Sequence, residues 1–300
     1  MRILDGLFFR PTHRAYASPR QFGLAYEEVR FSAGDGPTLH GWFFPSRTNV
    51  SSTVLEPEKV ADASMARLSS GLTDAAQAVG TIVHFHGNAG NITSHFPQVA
   101  WLPAFGWNVL CFDYRGYGRS EGRPSRDGLV RDGHAAIDYV RSRPDVDPAR
   151  IVVFGQSLGA AVAVVVVAAR EDVAGLVCDG GFSHYRRVVA WHIRRNPLLR
   201  VVAFWIPWLM DDGYDPIDSV ARVAPTPLLI LHGTADDVVD PAMAWELYQA
   251  AGEPKELWMI EGAGHYEALG TRADEWRPRL LAFVTKCVGP VPARGGRTER

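Results

Sequence analysis

The stretch that decides the fold of this 300-residue chain reads Ile151-Val152-Val153-Phe154-Gly155-Gln156-Ser157-Leu158-Gly159. Four β-branched or aromatic residues lead into a Gly-x-Ser-x-Gly pentapeptide, and an apolar run follows it as far as Ala169. This order predicts a strand, a sharp turn and a buried helix. Such a turn lifts the serine hydroxyl above the edge of a sheet, and its two glycines avoid side-chain collisions. Ser157 is therefore a candidate nucleophile.

Apolar runs alternate with helix-length amphipathic segments along the rest of the chain, which is typical of a parallel sheet with crossover helices. The predicted strands are Tyr26–Phe31, Thr38–Phe44, Thr81–Phe85, Trp107–Phe112, Arg150–Phe154, Val173–Cys178, Pro227–Leu231 and Lys255–Ile260. The predicted helices lie near residues 93–104, 126–142, 158–170, 241–251 and 271–287. The first two strands look antiparallel, so the pattern predicts an α/β fold with an eight-stranded, mostly parallel, doubly wound sheet. Its ligand crevice is expected beyond the carboxyl ends of the parallel strands.

We expect residues 1–288 to form a single domain that is interrupted in two places. Residues 46–79 are rich in Ser, Ala and Thr, and predict a surface insertion. Residues 184–220 combine tryptophans with arginines and predict a small helical lid over the site. The Pro-, Gly- and Arg-rich tail 289–300 predicts disorder.

The lid offers candidate substrate contacts, because large aromatic side chains bury much apolar surface. Three of its tryptophans are the candidates for an acyl pocket: Trp191, Trp205 and Trp208. The alternative is that they only dock the lid onto the core. The lid arginines predict weak peripheral contact with an anionic membrane or with a phosphorylated leaving group, although such arginines commonly form a solvated face.

Composition excludes several other classes of protein. A net charge of −2 gives no attraction to nucleic acid, and no nucleic-acid motif is present, so no nucleic-acid partner is expected. The three cysteines lack metal-binding spacing, and Cys111 and Cys178 fit buried positions in a reducing compartment. The apolar run Ala160–Ala169 is about half a bilayer span, and residues 1–10 lack a signal core. We therefore expect a cytoplasmic protein.

A serine hydroxyl needs a base to remove its proton and an acid to orient that base. On this architecture the acid and the histidine follow the serine in chain order, each after a strand. His265 meets this demand in a Gly-rich loop after Ile260, and Asp236 is the first carboxylate after the preceding predicted strand. Asp179, directly after Cys178, stays open as a rival acid.

Acyl transfer also needs hydrogen-bond donors for the developing oxyanion. The backbone N–H of Leu158, directly after the nucleophile, is one candidate. The loop after the strand Thr81–Phe85 supplies the other, because the His86-Gly87 pair lets the chain turn tightly and aim the N–H of Asn88.

Four spaced motifs together resemble the α/β-hydrolase superfamily over about residues 22–288. They are His86-Gly87-Asn88-Ala89-Gly90-Asn91, Asp113-Tyr114-Arg115-Gly116-Tyr117-Gly118-Arg119-Ser120, the Ser157 pentapeptide, and His232-Gly233-Thr234-Ala235-Asp236 with Gly264-His265. The chain is similar to the branch that includes membrane-tethered protein depalmitoylases and related bacterial serine hydrolases. The resemblance implies a Ser-Asp-His triad, an acyl-enzyme intermediate and no cofactor. It does not extend to the segment Cys178-Asp179-Gly180-Gly181-Phe182, where a proline is expected, and membrane tethering is not carried over.

These observations predict a serine hydrolase that cleaves a small-molecule carboxylic ester or thioester. Two alternatives remain: a serine peptidase or acylaminopeptidase that uses the same triad, and a non-catalytic binding module on the same fold. The sequence does not specify the physiological substrate or the oligomeric state.

Overall fold

The computed structural model describes residues 8–47, 78–195 and 213–290. The strands in these ranges are β1 (Arg10–Pro11), β2 (Glu27–Ser32), β3 (Thr38–Phe44), β4 (Gly80–Phe85), β5 (Ala89–Gly90), β6 (Trp107–Phe112), β7 (Ile151–Gln156), β8 (Gly175–Asp179), β9 (Leu228–Gly233) and β10 (Lys255–Ile260). The helices are α1 (Ile92–His95), α2 (Arg126–Ser142), α3 (Leu158–Val167), α4 (Tyr185–Arg195), α5 (Ala242–Ala250) and α6 (Ala273–Val288).

Eight of the described strands form one sheet in the order β10-β9-β8-β7-β4-β6-β3-β2. Strand β3 runs antiparallel to both β2 and β6, and every other pairing in this sheet is parallel. The predicted eight-stranded, mostly parallel α/β fold is confirmed. The chain leaves β4 for β6 on one side and later adds β7 on the other side. The carboxyl ends of β4 and β7 therefore border the crevice where such sheets bind ligands.

The sheet is covered on both faces, as expected for parallel strands. Every residue of β4, β6, β7 and β9 is buried, which explains why their sequences read as continuous apolar runs. Alternate residues of β4 enter different cores: Val83 and Phe85 contact one hydrophobic cluster, and Ile82 contacts the other. Helix α3 is buried at nearly every position. Both faces of the sheet thus hold the crevice at a fixed place.

The predicted helix at 93–104 is wrong. Only Ile92–His95 is α-helical there, and short 3₁₀ turns follow at Phe96–Gln98 and Leu102–Phe105. Pro97 and Pro103 lie in the two turns and have no backbone N–H to donate, which disfavours a continuous α-helix across them.

Several sequence predictions fall wholly or partly outside the described residues. Most of the predicted insertion 46–79, the lid segment 196–212 with Trp205 and Trp208, and the tail from residue 291 lie outside them. Cys111 and Cys178 are buried, as predicted. Among the helices that the structure describes, none has both the length and the apolar character needed to cross a bilayer.

Candidate active site

Ser157 lies in a strained turn between β7 and α3. Its backbone has φ 52° and ψ −113°, a conformation that non-glycine residues adopt at a cost of about 1–3 kcal/mol. The turn is held on both sides, because the Ser157 N–H donates to the Asp179 carbonyl at 2.9 Å and Ala161 N–H donates to the Ser157 carbonyl at 3.1 Å. The serine is 8% exposed at the carboxyl edge of the sheet. This is the strand–turn–helix that the sequence predicts.

The two glycines of the pentapeptide are required for close backbone approach. A Cβ at Gly155 would lie 2.5 Å from the Gly159 carbonyl oxygen. A Cβ at Gly159 would lie 2.0 Å from the Phe85 carbonyl oxygen and 2.6 Å from that of His86. Glycine at 159 therefore lets the start of α3 pack directly on the end of β4 and on the loop that follows it.

Asp236 and His265 come together on the loops after β9 and β10. His265 Nδ1 lies 2.6 Å from Asp236 Oδ2, and His232 Nε2 lies 3.1 Å from the same oxygen. The other oxygen, Oδ1, accepts from the backbone N–H groups of Val238 at 2.8 Å and Val239 at 2.9 Å. Burial opposes the charge on Asp236, but hydrogen bonds from His232 and His265 outweigh it and hold the pKa of the carboxyl well below its usual range. The carboxylate is thus fixed in position and charge beside the imidazole.

The rival acid, Asp179, has a different partner. Gln156 Nε2 donates to Asp179 Oδ2 at 2.9 Å, and Gln156 Oε1 lies 3.0 Å from His84 Nε2. Asp179 is 2% exposed, and burial raises its pKa to about 6 despite the Gln156 bond and the nearby histidines. Among the described residues it makes no hydrogen bond to His265. The geometry therefore favours Asp236 as the partner of the imidazole.

The predicted oxyanion loop is held by side chains. The ring of His86 bonds the Gly87 carbonyl through Nδ1 at 2.7 Å. Asn88 is anchored at three points: its Nδ2 donates to the Phe8 carbonyl at 2.7 Å, and its Oδ1 accepts from Arg10 N–H at 2.9 Å and from the Tyr117 hydroxyl at 2.8 Å.

The two predicted oxyanion donors both remain available. Within the described residues, no backbone acceptor is bonded to the N–H of Asn88 or to that of Leu158. Leu158 is the first residue of α3, where a backbone N–H has no partner within the helix. Both amides can therefore bind a substrate oxygen.

Helix α4 lies within electrostatic reach of the acid–histidine pair. Burial and the charge of Arg195 lower the pKa of His192, and the charges of Asp236 and His265 also act on it. Trp191, the one candidate pocket tryptophan within the described residues, is on this helix, partly buried and with the Arg195 guanidinium 5.2 Å from its ring centroid.

Ser157 and His265 do not hydrogen-bond each other in the described structure. The Ser157 side chain acts instead on the phenol of Tyr266, whose pKa it lowers against the larger effect of burial. Sequence reasoning gave no role to Tyr266, to His232 or to the N-terminal strand β1. Tyr266 had one usable signal, since it follows the candidate histidine directly. The signal for His232 was its position four residues before Asp236, because a tight turn between them brings its ring next to the carboxylate.

A family model described as serine aminopeptidase S33 matches residues 76–222 and 183–268. The chain belongs to this family of α/β-hydrolases. The chain is also similar to the uncharacterized protein YfhR of Escherichia coli K12, which is 35% identical over 96% of this chain and 90% of that protein. The α/β-hydrolase domain-containing protein WAV2 of Arabidopsis thaliana is 31% identical over 81% of this chain and 73% of its own length.

Solved structures share the fold of this S33-family chain. The Pyrococcus furiosus esterase Pf2001 superposes with a TM-score of 0.72 and covers 94% of this chain and 98% of its own. At 20% sequence identity this likeness supports the fold alone.

Proposed function

We propose that this α/β-hydrolase is a serine hydrolase that cleaves carboxylic esters or thioesters through Ser157, Asp236 and His265. The observation that carries the proposal is the 2.6 Å bond between His265 Nδ1 and Asp236 Oδ2, made at the same sheet edge as the strained serine turn. A carboxylate on Nδ1 leaves Nε2 as the imidazole atom that accepts a proton.

The reaction proceeds in two acyl transfers. His265 takes the Ser157 proton as the oxygen attacks the carbonyl carbon, and the N–H groups of Leu158 and Asn88 bind the oxyanion. The imidazolium then protonates the leaving alcohol or thiol, which departs and leaves an acyl-serine. Water, deprotonated by His265, attacks the acyl-serine and releases the acid. No step uses a cofactor.

Cleavage of an aminoacyl amide is the second candidate, and the description of the matched family favours it. The same three residues would serve, because His265 can protonate a leaving amine as it does an alcohol. The two candidates differ in the leaving group, so one panel of substrates separates them.

The test combines active-site labelling with that panel. Wild-type protein should gain the mass of one fluorophosphonate adduct, and Ser157→Ala should gain none. Ser183→Ala, which removes another buried serine near the same sheet edge, is the matched control and should label like wild type. Hydrolysis of acyl esters and acyl thioesters well above aminoacyl amides would support the proposal. The reverse order would favour the aminopeptidase, and a folded wild type that takes no adduct would contradict both.

A further inference from the structure

Tyr266, directly after the candidate base, has a backbone conformation that calls for an explanation. Its φ is +63°, in the left-handed region that aromatic residues avoid. The described non-glycine residues with positive φ are Ser157, Tyr214 and Tyr266. Two of these three lie at the candidate site. Strain of this kind persists where the surrounding structure holds a side chain in a required place.

The strained backbone holds the phenol of Tyr266 near three parts of the site: Ser157, the oxyanion loop and His265. The Ser157 side chain acts on the phenol and lowers its pKa, against the larger effect of burial. The phenol also lies against the oxyanion loop, because a Cβ at Gly87 would be only 2.7 Å from the phenol oxygen. The ring lies against the imidazole of His265, with 3.9 Å between the ring centroids. The phenol oxygen therefore lies against the loop that carries the N–H of Asn88, on a residue whose ring contacts the candidate base.

The hydroxyl is a proton donor and does not accept from the predicted oxyanion amides. Burial raises the pKa of Tyr266 well above its usual range, so the phenol stays neutral. Among the described residues, no backbone N–H donates to the phenol oxygen, neither that of Asn88 nor that of Leu158. The phenol oxygen is therefore not an acceptor for either amide, whereas a group that occupied the oxyanion position would accept from both.

We propose that Tyr266 is a catalytic residue whose phenol O–H donates a third hydrogen bond to the oxyanion, beside the amides of Leu158 and Asn88. This role rests on the proposed function. In the free enzyme the neighbour of the phenol is a neutral serine hydroxyl. After His265 takes the serine proton and Ser157 Oγ bonds to the carbonyl carbon, Oγ is neutral and the negative charge lies on the substrate oxygen, which accepts from the phenol. A hydrogen bond to an anionic oxygen is stronger than one to a neutral oxygen, so the contact favours the transition state over the ground state. The phenol keeps its proton throughout.

Tyr266→Phe tests this role, because it keeps the ring against His265 and removes only the hydroxyl. We expect kcat to fall about 10- to 100-fold on the best ester of the panel, with KM unchanged. The inhibition constant of a trifluoromethyl ketone that mimics the tetrahedral intermediate should rise by the same factor as kcat/KM falls. A merely structural role would not produce that parallel. Tyr248→Phe, a partly buried tyrosine on α5, is the matched control and should leave both quantities unchanged.

Three results would overturn the role of Tyr266. An unchanged kcat means that the hydroxyl makes no transition-state contact, and a raised kcat means that the phenol obstructs the site. A raised KM with unchanged kcat makes it a wall of the substrate pocket. These outcomes are separate from failure of the proposed function, because they require a wild type that labels at Ser157 and turns over.

Discussion

Two buried carboxylates lie near His265, and their surroundings shift their pKa values in opposite directions. Asp236 has two histidines and two backbone N–H groups as partners, and its pKa is held well below the usual range. Asp179 has the Gln156 amide, and burial raises its pKa to about 6. Divergent environments of this kind separate the roles of paired acids. Asp236 therefore stays ionised at acidic pH and is suited to orient the imidazole of His265.

Asp236→Asn should cost far more turnover than Asp179→Asn. The amide at 236 would stabilise the wrong imidazole tautomer, and the equivalent change in a Ser-His-Asp triad lowers kcat by about 10⁴. Asp179→Asn is expected to keep kcat within about tenfold of wild type, since the residue has no bond to His265. Steady-state kinetics on the same ester would decide, and a larger loss in Asp179→Asn would make Asp179 the acid.

The sequence was enough to propose Ser157, Asp236 and His265, because the architecture prescribes their chain order and each follows a strand. It favoured Asp236 but left Asp179 open as a rival, because both follow strands at the same sheet edge. The choice depends on side-chain partners, above all on Gln156, whose amide lies between Asp179 and His84. Strand register determines which side chains meet across neighbouring strands, and the sequence contains no periodic pattern that reveals it.

At the scale of elements, the contact of α3 with the end of β4 fixes the distance between nucleophile and oxyanion loop. Gly159 serves this contact, whereas Gly155 lets the first turn of α3 lie close to the end of β7. The obstructing atoms are backbone carbonyl oxygens, which cannot rotate away as a side chain can.

Gly159→Ala should therefore destabilise the protein by about 3 kcal/mol or more, at or beyond the upper end of ordinary overpacking. Gly270→Ala is the matched control, because the nearest atom to its added Cβ would be the Tyr266 carbonyl oxygen at 3.3 Å. The control should lose much less stability than Gly159→Ala, because a small movement relieves a 3.3 Å contact but not one of 2.0 Å. Urea unfolding followed by circular dichroism measures both changes, and equal values would refute the packing argument.

Strands were the best-predicted elements, since buried parallel strands leave continuous apolar runs. The helix predicted at 93–104 was wrong, because the prediction followed the apolar spacing of the segment and gave no weight to its prolines. The pairing of β1 with β5 was also missed, because each strand has only two residues and neither shows a periodicity.

At the scale of the whole molecule, Asp179 couples folding to pH. The carboxyl has a pKa of about 6 in the folded protein and a reference value of 3.8. Between these values the folded state binds more protons than the unfolded state, so the contribution of Asp179 to stability falls as pH rises from about 4 to about 6. The shift corresponds to about 3 kcal/mol, present in full below pH 4 and absent above pH 6.

Asp179→Asn should remove this dependence. The difference in unfolding free energy between wild type and variant should change by about 3 kcal/mol from pH 4 to pH 7, with the variant gaining at the higher pH. Urea unfolding at intervals of one pH unit measures it. Parallel curves for the two proteins would show that Asp179 titrates alike in both states.

The anchoring of Asn88 connects the segment before β2 to the proposed oxyanion loop. Residues 8–10 supply two of the three groups that hold the Asn88 side chain, and β1 adds backbone pairing to the same loop. The eight-stranded sheet begins only at β2, and burial of Phe9 in the hydrophobic core holds this segment in place. A single proteolytic cut between β1 and β2 would thus leave the oxyanion loop tethered by noncovalent contacts alone.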